Sequence, residues 1–145
     1  MNTATTISIV RTMMHELIHA HILYLNYAEP GSDLIKSLNA FALAKGLVND
    51  VMHAHHGFMP VYIDVIAESL YQWDQSNNPG NVQPMQFYQD MAWGGLTDFS
   101  ENGINYIEYE GFKENFPDEN ERARIRDVIS KEATNDSQAK GTPCN

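Results

Sequence analysis

The 145-residue chain has almost no cysteine: Cys144, close to the end, is the single one. No disulfide can form within the chain, and no cysteine-based zinc ribbon can be assembled from it. Basic residues are also scarce, nine Lys and Arg against nineteen Asp and Glu, for a formal net charge of -10. Fifteen of the acidic residues follow Gly57. A phosphate backbone would meet repulsion over that half, and no nucleic-acid partner is expected. The densest basic stretch, Arg122, Arg124 and Arg126, reads as a solvated helix face. The chain lacks the run of roughly 18 apolar residues that a bilayer crossing needs, so no membrane span is expected. Its first residues lack the basic start and small-residue cleavage site of a secretory leader. A cytoplasmic location is then the default, unless sequence upstream of Met1 supplies an address.

What is present is a globular balance, 43% hydrophobic and 19% charged residues, spaced for helices. The expectation is a mainly α fold with little or no sheet, a single domain over residues 1–133 and a flexible tail over 134–145. A first helix spans about residues 3–27, where Ile7, Val10, Met14, Leu17, Ile18, Ile22 and Leu25 make a broad apolar band that predicts a mostly buried helix, with Arg11 snorkelling to water. Pro30 and Gly31 end it, and a second helix follows to about Gly46. A third starts at Pro60 and runs to about Gln75, with Val61, Val65, Ile66, Leu70 and Trp73 on its buried face. A short one over about residues 85–93 stops at Gly94 and Gly95. Residues 96–117 are irregular, with a short strand or a helix end around 104–109. Asp118 caps a last helix that ends near Ala133.

The first helix carries His15-Glu16-Leu17-Ile18-His19. Residues four apart share a helix face, so His15 and His19 can direct ring nitrogens at one metal ion. Glu16, one position round, is placed to accept a proton from a water at such a site. Three further histidines, His53, His55 and His56, cluster ahead of the third helix. Catalytic zinc takes three protein ligands and keeps a position open, so one of these is the expected third ligand for a single zinc ion. His56 is preferred, because it immediately precedes Gly57 and a helix that can start at Pro60; His55 and then His53 are the alternatives. Glu68 could serve instead as a carboxylate ligand. Asp64 could brace a ligand histidine, and Tyr62 could donate to a developing oxyanion.

At His15-Glu16-Leu17-Ile18-His19 and at His56-Gly57 the sequence resembles the SprT-like zincin metallopeptidases, in their compact bacterial form. The resemblance runs over roughly residues 5 to 75 and more loosely over Ala92-Trp93-Gly94-Gly95-Leu96. It implies a compact zincin-like helical core, zinc held by His15, His19 and His56, Glu16 as general base, and hydrolysis of peptide bonds in a peptide or protein substrate. DNA-linked members carry basic or zinc-ribbon elements that have no counterpart here. The alternative function is a catalytically inactive zinc-binding module with a structural or protein-interaction role.

Overall fold

Thr5 opens the first helix: its side-chain oxygen accepts the N–H of Ser8, 3.4 Å away, and satisfies a donor that the first turn leaves unpaired. The computed structural model describes residues 4–99 and 106–144. Within them the fold is mainly α. Helix α1 (Thr6–Ala28) is followed by α2 (Asp33–Ala44) and α3 (Val51–Phe58). A single 3-10 turn (Met59–Tyr62) leads into α4 (Ile63–Asn77), and α5 (Met85–Ala92) folds back on it. Strands β1 (Thr97–Phe99) and β2 (Tyr106–Glu108) pair antiparallel, with Asp98 opposite Ile107, and α6 (Glu110–Asn115) and α7 (Glu119–Thr134) complete the order. Ile104 and Asn105 lie outside the described residues. Among those described, no helix is long and apolar enough to cross a membrane.

Among the described residues two apolar clusters make the core, and α1 contributes to both. Ile7 belongs to the larger, with Ile66, Leu70, Tyr88, Met91, Leu96, Phe112 and Ile125. Ile22 belongs to the smaller, with Ile35, Leu38, Ala42 and Ala54. Between them the buried stripe of α1 continues as Arg11, His15 and His19, at helical spacings of four and three. The polar residues therefore sit where one core ends and the other begins. The expectation of a mostly buried α1 is corrected: Met13, Leu17, Tyr24 and Tyr27 are exposed, Tyr27 by 90%. The apolar band encircles the helix, but neighbouring elements cover only one side of it.

The histidine cluster is also corrected. It is not a loop ahead of a helix but a helix of its own, α3, capped by Asp50, whose side chain accepts the N–H of His53 at 3.1 Å. Pro60 falls in the 3-10 turn, where its missing N–H costs nothing. The buried face of α4 is Ile63, Ile66, Ala67 and Leu70, while Val61 and Val65 face out. Gly57 lets α2 come close, because a Cβ there would stand 2.8 Å from the ring of Phe41.

Two further expectations change. The arginines of α7 are not a solvated face: Arg124 pairs with Asp90 of α5, and Arg122 and Arg126 both pair with Glu108 of β2 and with Glu119. The residues after α7 are not a loose tail. The buried side chain of Glu132 accepts from the hydroxyl of Thr5 (2.7 Å) and from the backbone N–H groups of Lys140 and Gly141. Thr6 donates its N–H to the carbonyl of Thr142, and Cys144 donates to that of Ala4. This clasp holds the start of α1.

Candidate metal centre

His15 and His19 leave α1 on the same face, one turn apart, and His56 reaches them from α3. The Nε2 atom of His19 lies 3.1 Å from Nε2 of His15 and 3.3 Å from Nε2 of His56. All three side chains are buried, and one nitrogen from each falls within 4.8 Å of the others. Zinc–imidazole bonds of about 2.0–2.1 Å at tetrahedral angles place neighbouring nitrogens about 3.3–3.4 Å apart. The two separations at His19 come close to that edge length, and the nitrogens of His15 and His56 lie within 4.8 Å of each other. Nδ1 of His15 is buried and has no hydrogen-bond partner among the described residues. The donor set fits a single ion with an open position.

The protonation states suit ligation. Burial, followed by the neighbouring His19 and His56 and then Arg11, pushes His15 from the usual 6.5 down to about 3. Burial does most of the work on His56 too, with His19, His53 and His55 adding to it; Met52 one turn back opposes them, and the result is about 4. His19 is lowered by burial, with Glu16 acting in the opposite direction. Burial and then His19 lower His55. Near neutral pH these rings are uncharged, the form that binds a metal.

The three nitrogens open on a cleft of about 540 Å³. Glu16 lines it and is exposed to solvent. Its rim is apolar, with Leu23 from α1 and Val51 and Met52 from α3, and all three are more than half exposed. The ribbon and the turn before it bring two more residues to the site, of which sequence reasoning missed Tyr109. Gly95, just before β1, packs on His15: at its φ of +86° an added Cβ would stand 2.5 Å from the ring. Tyr109, just after β2, stacks on His56 with ring centroids 4.2 Å apart and lines the cleft. Gly94 lies equally close to the guanidinium of Arg11, which is buried beside His15 and does not snorkel. The pair Gly94-Gly95 was a signal for such close approach, whereas nothing in the spacing of Tyr109 marked it.

The remaining predicted residues do not join the three Nε2 atoms, although His55 also lines the cleft. His53 is exposed on the outer face of α3 and bonds Asp50 at 2.7 Å. His55 is buried, but its Nδ1 faces Nδ1 of His19 at 3.4 Å, on the side of that ring away from the three Nε2 atoms. Glu68 is exposed and accepts from Gln72, one turn on. Asp64, also exposed, lines a separate hollow with Gln86 and Asp90. Tyr62 packs against both core clusters and is not among the cleft residues. Tyr62 ends the 3-10 turn, and Asp64 and Glu68 follow it on α4, whose residues do not line the cleft. No family model, no curated protein and no solved structure matches this chain.

Proposed function

We propose that the chain is a zinc-dependent metallopeptidase of the SprT-like zincin type, with His15, His19 and His56 holding one zinc ion and Glu16 as general base. The observation that carries this reading is the convergence of the three Nε2 atoms beside a solvent-facing glutamate. Three neutral imidazoles and an open position are a donor set that zinc prefers over magnesium or calcium, which favour oxygen. When bound, zinc supplies Lewis acidity toward a carbonyl oxygen and acidifies water. Glu16 takes the proton of the attacking water and returns it to the amine nitrogen as the peptide bond breaks. Tyr109 closes one wall and restricts His56 by stacking. Leu23, Val51 and Met52 offer an apolar rim for a bulky side chain beside the scissile bond.

The test uses untagged protein reconstituted with zinc and an unfolded, fluorescently labelled protein as substrate. Wild type should cleave it, and Glu16→Gln should keep about one zinc per chain while losing on the order of 100-fold or more in turnover. A Glu16→Gln variant with full activity would remove the base assignment. Tight zinc with no cleavage by wild type would instead favour the inactive zinc-binding module.

A further inference from the structure

Each neutral imidazole carries one N–H, and the nitrogen that binds a metal must be the other one. For His19 to present the lone pair of Nε2, its hydrogen has to reside on Nδ1. That nitrogen is enclosed: the side chain is buried and Nδ1 faces the Nδ1 of His55 at 3.4 Å. An N–H buried there without an acceptor would be disfavoured, and the ring would take the tautomer with its hydrogen on Nε2, which blocks ligation.

Resting on the metal-centre reading above, we propose that His55 is a positioning residue of this site: it accepts the Nδ1–H of His19 and thereby fixes Nε2 of His19 toward the ion. The geometry distinguishes this from a histidine that only fills space. His55 and His56 are neighbours on α3, about 100° apart around the helix axis. His56 turns its Nε2 into the trio, while His55 turns its Nδ1 to the opposite edge of the His19 ring. The two rings of His19 and His55 lie 5.6 Å apart at 26°, so their nitrogen edges meet without one ring covering the face of the other closely. With its Nδ1 as acceptor, His55 carries its own hydrogen on Nε2. One helix thus supplies a ligand from one position and the orienting partner of a second ligand from the position before it. His19, the central nitrogen of the trio, is the ring for which a wrong tautomer would disturb both close contacts at once.

The experiment measures zinc affinity by competition with a chromophoric chelator for wild type, His55→Leu and His55→Asn. The side-chain oxygen of Asn can stand near the place of the lost Nδ1, whereas Leu offers only bulk. Losing such a partner typically weakens metal binding 10- to 100-fold. His55→Leu should fall in that range and His55→Asn should recover to within about threefold of wild type. Ring 15N spectra of zinc-loaded wild type should show His19 with its hydrogen on Nδ1, a readout that needs no variant to fold. Equal affinity in wild type and His55→Leu would overturn the proposal, as would a His55→Asn variant as weak as His55→Leu, or His19 protonated on Nε2. A wild type that takes up no zinc at all would instead overturn the metal centre, and this inference with it.

Discussion

The imidazoles of His15 and His56 are held neutral far below their ordinary range, to about 3 and about 4, chiefly by burial. The sign of the resulting pH effect follows from which state takes up protons first. As pH falls through 6.5 the unfolded chain protonates these rings while the folded chain does not, so protons favour unfolding. With metal removed by a chelator, stability should be full above about pH 6.5 and decline toward pH 4 and below. Between pH 7 and pH 5 each ring should cost on the order of 1–2 kcal/mol, before most carboxylates titrate. Thermal melts in chelator should show this slope, and His15→Phe should reduce it; a wild-type melting temperature that is flat over the interval would contradict the burial argument. At this scale the sequence was informative where local spacing decides the outcome. His15, Glu16 and His19 are placed by helix periodicity alone. The burial of Arg11 and the stacking of Tyr109 on His56 depend on contacts between residues about 50 to 85 positions apart, and no local periodicity encodes that.

Helix α1 has two faces that a hydropathy pattern cannot tell apart. One stripe, Ile7, Arg11, His15, His19 and Ile22, is buried, and the opposite side carries Met13, Leu17, Tyr24 and Tyr27 in the open. Substitutions on the two sides should therefore differ. Ile22→Ala, at a position with no exposed surface, should lose about 2–5 kcal/mol through a cavity under α2. Leu17→Lys should change stability by no more than about 0.5 kcal/mol. Urea unfolding of the two variants checks this, and a large loss at Leu17 would place a covering element there. Helix positions were readable from the sequence because capping residues and glycines mark ends. The inward faces of α1 and α4 were not, since each has apolar residues on more than one side and neighbouring elements choose among them. Similarly, α3 was hidden because three histidines in eight residues resemble a polar turn, although Asp50 was its capping signal.

Across the whole molecule, the mainly α class followed from composition and spacing, but the closure of the chain did not. Glu132 reads as one more acidic residue on a solvated helix, yet it is 1% exposed and bonded to Thr5, 127 positions earlier. Contacts at that separation leave no trace in local periodicity. Glu132→Ala would strand the Thr5 hydroxyl and the N–H groups of Lys140 and Gly141, at a cost on the order of 2–4 kcal/mol. The expected signature is a lower melting temperature together with early proteolytic trimming after α7; trimming no faster than in wild type would mean that the clasp is not what holds this segment.

The same clasp determines how the molecule would bear a mechanical load. Tension applied between residues 4 and 144 meets the Cys144–Ala4 and Thr6–Thr142 hydrogen bonds first, then the Glu132 side chain. These bonds would open in turn, as a zipper does, while the histidine stripe two turns further along α1 remains unstretched. The clasp is thus a strain relief at the chain ends, and the three ring nitrogens would keep their spacing until it had given way.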